Sequence, residues 1–273
     1  MTSGSLQPPN FDASSTTHMR NLVLPASLLV TVLATAQVDI NKLMQQPAGG
    51  QGPGNGVRME DDTDPFVPNE FIGSFRMEMH RYKGTVEEKA SPLQMRYWSS
   101  ADKTLNQMEM PEQRQRMKTL TDLQGKWTYT LMTDEQGTQR AMKSRKKKFV
   151  LAEPAGERKE PSIVTTKETR TIEGHTCTKV IVTTTEGSWT GWVAPDVKAP
   201  FADMTRNVQQ RGNESTLRAM RAVQGMPLEF EWVPTDGSSR LVSYIKELVV
   251  GKVDPAVFSL DGYSVMEIPN FGQ

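Results

Sequence analysis

Apolar and polar side chains alternate with a period of two along most of this chain, and no other feature constrains the fold as tightly. The run "FRMEMHRY" sets Met77 and Met79 against Arg76, Glu78 and His80, as a strand with one buried face requires. "QMRYW" puts Met95 and Tyr97 on one side, "NQMEM" does the same with Met108 and Met110, and "KWTYTLM" groups Trp127, Tyr129 and Leu131 against Thr128 and Thr130. "PLEFEW" is the clearest case, with Leu228, Phe230 and Trp232 inward and Glu229 and Glu231 outward. Turn signals such as Ser100-Ala101-Asp102-Lys103, Gln124-Gly125, Glu186-Gly187 and Thr235-Asp236-Gly237 separate the runs. About eleven strands at roughly 8 to 12-residue spacing predict a mostly β fold, an antiparallel meander curling into a barrel.

Three segments depart from that pattern. Residues 19 to 36 hold one arginine, an apolar run from Leu22 to Leu33 and then Ala34-Thr35-Ala36. This reads as a secretory signal over residues 1–36, with Met19 a candidate start, and the run is shorter than the roughly 20 residues a bilayer needs. Gln37 rather than cysteine follows the predicted cut, which argues for an exported, periplasmic or secreted protein without a lipid anchor. Residues 37–69 read as a flexible linker, with Gly49, Gly50, Gly52, Gly54 and Gly56 followed by the acidic "EDDTDP". Between Phe201 and Gln224, a cap at Asn213 or Ser215 and the spacing of Leu217, Met220 and Val223 predict a short helix, a lid or plug within the β domain of residues 70–273.

The single cysteine, Cys177, stands two residues after His175. One cysteine makes no intramolecular disulfide, so an exported domain of this size must be held by its core. On a strand, His175 and Cys177 stand side by side some 6 to 7 Å apart, too far for the hydrogen bond that an activated thiol requires. The spacing of the histidines and Cys177 fits no metal motif. The residues therefore suggest no catalytic group, no metal and no cofactor, with a thiol enzyme built on Cys177 and His80 as the competing reading. Lysine plus arginine and aspartate plus glutamate each number 32, a balance that gives no footprint for nucleic acid.

The stretches "TIEGHTCTKVIVTTTEGSWTGWVAPD", "YWSSADKTLNQMEM", "TLTDLQGKWTYTLM" and "VDPAVFSLDGY" resemble an uncharacterised family of bacterial envelope proteins grouped with the LolA/LolB-like carriers of outer-membrane lipoproteins. The resemblance covers about residues 70 to 268. It implies an unclosed antiparallel barrel with helices over its mouth, an apolar cavity, and a lipid or lipoprotein acyl chain as ligand.

Joined to the strand pattern, this nominates Met77, Met79, Tyr97, Met108, Met110, Tyr129, Leu131, Leu228, Phe230 and Trp232 as lining one cavity. Methionine is flexible and polarizable and adapts to varied apolar ligands, though it also fills ordinary cores. "KSRKKKF" supplies Lys143, Arg145, Lys146, Lys147 and Lys148. These either meet anionic head groups, at about 1 kcal/mol per charge, or form a solvated connection between the two halves of the sheet. The alternative to a carrier is a non-catalytic envelope interaction module with a filled core.

Overall fold

The computed structural model describes residues 57–89, 91–109, 116–134, 136–151, 160–185, 187–200, 208–210 and 223–268. The signal segment, the glycine run and Met110 lie outside them, as does the expected helix apart from Val223 and Gln224, which are irregular.

Sixteen strands make up nearly all the regular structure described. They are β1 (Val57–Asp61), β2 (Gly73–Lys83), β3 (Val86–Glu87), β4 (Leu93–Ser99), β5 (Lys103–Glu109), β6 (Arg116–Asp122), β7 (Trp127–Thr133) and β8 (Gln139–Arg145). The chain continues with β9 (Lys147–Leu151), β10 (Ser162–Ile172), β11 (His175–Thr183), β12 (Gly187–Ala194), β13 (Val208–Gln210), β14 (Met226–Pro234), β15 (Ser239–Val250) and β16 (Ser264–Glu267). The large sheet runs β10-β11-β12-β14-β15-β2-β4-β5-β6-β7-β8-β16, with β3 hairpinned onto β2, and its two ends do not meet. It is an open meander, antiparallel except where β16 joins β8. A second, three-stranded sheet has β9 between β1 and β13.

The second sheet revises the expected linker. Val57–Asp61 pairs antiparallel with β9, Asp61 opposite Lys147, so the acidic stretch is built into the fold. Val208–Gln210, in the segment read as helical, pairs parallel with the other side of β9. Val57-Arg58-Met59-Glu60 does alternate, but directly behind the glycine run it was read as linker, and Val208–Gln210 is too short for a period to show.

Register decides which residues share a face, since directly opposed side chains of an antiparallel pair point the same way. Phe75 faces Tyr97, Met77 faces both Met95 and Ile245, and Met79 faces Ser243. Met95 in turn faces Met108, and Ser243 faces Phe230. These residues form the first face of the sheet. On the second face Trp98, Leu105, Leu120 and Tyr129 stand opposite one another in turn. There Leu105, Leu120, Leu131, Ala141 and Phe258 form a core with Val253, Val257, Leu260 and Tyr263 packed against it. The covering segment is a 3-10 turn, Pro255–Phe258, capped by Asp254, whose side chain accepts from Ala256 N. The closing motif read in the sequence is thus a strap over the second face.

Candidate functional site

Burial varies along the first face. Met77, Met79, Met95, Tyr97, Leu228 and Ile245 are at most 2% exposed, and the rings of Phe71, Phe75 and Tyr97 meet with centroids 5.1 to 6.2 Å apart. Toward β12 and β14 the same face is half-buried at Trp189, Phe230 and Trp232, and on β5 at Met108, while beyond them Val180, Val182 and Val193 form a further buried cluster with Trp189 packed against it. Trp189 stands opposite Trp232 and stacks on Phe230 at 6.0 Å.

Gly191 makes that stack possible. It lies opposite both Phe230 and Val180, and a Cβ there would sit 2.1 Å from the Trp189 ring. Without a side chain at 191, the indole folds along its own strand and reaches Phe230. The run "WTGWV" carried this signal in the sequence, but a glycine inside a strand has several explanations, and only the register identifies this one.

The structure corrects the single-cavity expectation. Met77, Met79, Tyr97, Met108, Leu228, Phe230 and Trp232 share the first face, but Tyr129 and Leu131 belong to the second, where Leu131 is part of the core under the strap. From Tyr97 the opposed residues run through Asn106 and Thr119 to Thr130, so Thr128 and Thr130 of β7, expected outward, share the methionine face. On the second face an open depression of about 270 Å³ is lined by Trp98, Leu105 and Val257 with Arg96, Glu109 and Lys118 at its polar side.

The basic run is corrected as well. Lys146 and Lys148 are buried, at 4% and 8% exposure, and do not form an exposed connection. Lys146 bonds to Asp62, which also accepts from Lys126 Nζ at 3.2 Å. Lys148 Nζ donates to Asp64 at 2.9 Å, and Lys147 pairs with Asp61. Burial pushes the Asp62 carboxyl up, but the hydrogen bond and charge of Lys146 outweigh it and hold the carboxyl below the usual carboxylate range. Burial also pushes the Lys146 ammonium down, more than Asp62 raises it. Lys143 and Arg145 lie over the Trp127 ring at 3.7 and 4.0 Å.

Cys177 is fully buried, its Sγ 3.6 Å from the carbonyl of His175, and burial pushes the thiol up, away from the reactive thiolate. His175 turns instead to Asp196, Nδ1 to Oδ2 2.7 Å, and His80 pairs with Glu87 at the same distance. Among the described residues no three His, Cys, Asp or Glu side chains come together as metal ligands, and no helix is long and apolar enough to cross a membrane.

Compared with protein-family profiles and with curated proteins, the chain gives no match. Among solved structures, PNGF-II is similar at a TM-score of 0.33 and 13% identity, over 72% of this chain and 32% of that one. This chain thus spans about a third of the PNGF-II chain. A DUF1329 family protein from Desulfovibrio piger follows at a TM-score of 0.29 and 8% identity, over 70% and 91% of the two chains. An outer membrane lipoprotein-sorting protein domain from Vibrio parahaemolyticus follows at 0.26 and 6%, over 68% and 89%. Similarity of this degree leaves the chemistry of the site to be argued from its own residues.

Proposed function

We propose that this is an exported, non-catalytic binding protein that carries an apolar ligand, a lipid or lipoprotein acyl chain, on the first face of its open sheet. The observation behind the reading is the uneven burial of this face. Buried Met77, Met79 and Met95 form a floor, and half-buried Met108, Trp189, Phe230 and Trp232 offer adaptable and aromatic surface on either side of it. Such a surface suits ligands of varied shape, because methionine re-packs at little cost and aromatic rings bring large apolar area. The leader read over residues 1–36 supports export, and with it a source of acyl chains in the bacterial envelope.

The full burial of Met95, Tyr97 and Leu228 favours a second reading, an envelope interaction module whose first face is simply a filled core. Native mass spectrometry of the protein purified without detergent from the periplasm, followed by solvent extraction, separates the two. A co-purifying acyl lipid that is lost in Phe230→Arg, with the far-UV circular dichroism kept, supports the carrier. An apo mass unchanged after incubation with mixed envelope lipids leaves the filled-core module.

A further inference from the structure

One row across the first face holds a single residue type. Met77, Met95, Met108, Met117 and Met132 stand opposite one another in turn on β2, β4, β5, β6 and β7. Directly opposed residues of antiparallel strands share a face, with Cβ atoms about 4.5 to 5.5 Å apart, so five thioethers line up across five adjacent strands. Ile245 closes the row at one end and Arg140 at the other. Met77 and Met95 are at most 1% exposed, whereas Met108, Met117 and Met132 are half-buried. Core filling accounts for the first two. It does not account for the last three, which stand partly in solvent at positions where a strand favours β-branched or aromatic residues.

What the three half-buried side chains have in common is a soft sulfur donor. We propose that Met108, Met117 and Met132 form a binding site for a soft monovalent metal ion, Cu(I), held by their Sδ atoms. Thioether sulfur selects Cu(I) over harder divalent cations, which take oxygen or imidazole. The donors are neutral, and a monovalent ion brings the least charge to be taken out of water. The outer two of three adjacent strands stand roughly 10 Å apart, and the three rotatable bonds of methionine let Met108 and Met132 lean over Met117. A second observation lies beside the row. Asn106, two residues before Met108 and on the same face, has its Oδ1 buried with no hydrogen-bond partner among the described residues. A free amide oxygen presents the negative end of a dipole, which favours a cation nearby. Arg140 is exposed, so solvent and salt screen its charge from the site. The proposal does not rest on the acyl-chain reading, which uses only the apolar character of this face.

Ag(I), which shares the charge and sulfur preference of Cu(I) without its redox chemistry, is the probe. Titrated into the full mature chain labelled with 13C at the methionine methyl groups, it should saturate at one ion per chain and shift the resonances of Met108, Met117 and Met132, leaving that of Met79 in place. Cu(I) shared with a chromogenic chelator under anaerobic conditions should show the same stoichiometry. Met117→Leu keeps the volume and apolar surface of the site and should weaken Ag(I) and Cu(I) binding by more than about tenfold, while an acyl lipid that co-purifies with the native chain is retained. Affinity unchanged in Met117→Leu would overturn the proposal, as would methyl resonances of the row that stay fixed while signals around Cys177 move, which would assign the ion to the thiol. If Met117→Leu fails to fold, the methyl spectra of the native chain decide alone: no shift at Met108, Met117 and Met132 at stoichiometric Ag(I) overturns the site.

Discussion

At the scale of single residues, the most deeply buried ion pair among the described residues is Asp62 with Lys146. Both side chains are about 5% exposed, and a buried pair broken on one side leaves the other charge unpaired, at a cost of about 3 kcal/mol. Asp62→Asn should therefore lower unfolding stability by about that much, moderated because the Lys146 amine is already easier to deprotonate. The pH dependence has a definite sign. The folded Asp62 carboxyl titrates below its unfolded value of about 3.9, so its contribution is complete above about pH 4 and is lost as the pH falls through the folded value. Thermal unfolding from pH 6 to 2.5 should show that acid-side loss in the native chain and a smaller one in Asp62→Asn. Parallel curves would mean that the pair does not set acid stability. In the sequence "EDDTDP" reads as part of a flexible linker and "KSRKKKF" as either a head-group contact or a solvated connection. Nothing local to either announces the other, because the ladder that joins Asp61 to Lys147 closes a loop of over eighty residues.

At the scale of elements, alternation located β2, β4, β5, β7 and β14, and in β2, β4, β7 and β14 it named which residues share a side. What alternation leaves open is how the faces of successive strands match. A slip of one residue in register exchanges the faces, and β7 follows β6 with Tyr129 opposite Leu120 and Thr130 opposite Thr119. Hence Tyr129 and Leu131 pack under the strap rather than beside Met77. Of the apolar residues of β7 only Leu131 is buried, with Trp127 and Tyr129 half-buried, and all three lie on the other face from the one expected, because the strap covers part of the second face too. The same register makes Gly191 a test of the Trp189 stack. Gly191→Val would put side-chain atoms where the Trp189 ring lies and should destabilise the protein by about 1 to 3 kcal/mol. It should also shift tryptophan emission to longer wavelength as Trp189 leaves Phe230. Unchanged emission and stability would show that the stack is not maintained in solution.

At the scale of the whole molecule, an open sheet has two edges, each a template for another chain's strand. At one end stands β16, four residues long and exposed throughout, paired on one side with β8 and followed by Ile268 N donating to Lys143 O at 2.8 Å. A strand so short presents little edge for another strand to continue. At the other end stands β10, eleven residues long and exposed almost throughout, with Ile163 and Val164 open to solvent. Its length should make it adhesive, and two features oppose that. The ladder to β11 is interrupted between Thr165 and Thr169, which bends the strand, and Lys167, Glu168 and Arg170 crowd the same stretch. Glu168 is held by Lys179 at 3.0 Å, which fixes a carboxylate beside the irregularity. Bulges and charges at an edge are the usual defence against edge-to-edge pairing, and a sheet that ends in solvent needs one. Replacing Lys167 and Glu168 together by valine removes the charges and supplies β-branched residues that straighten and extend the strand. The variant should sediment faster than the native chain as concentration rises, and its β10 amides should gain protection from exchange in the associated state. Sedimentation identical to the native chain's across the same concentrations would mean that the irregular ladder between Thr165 and Thr169, and not the charge, keeps this edge single.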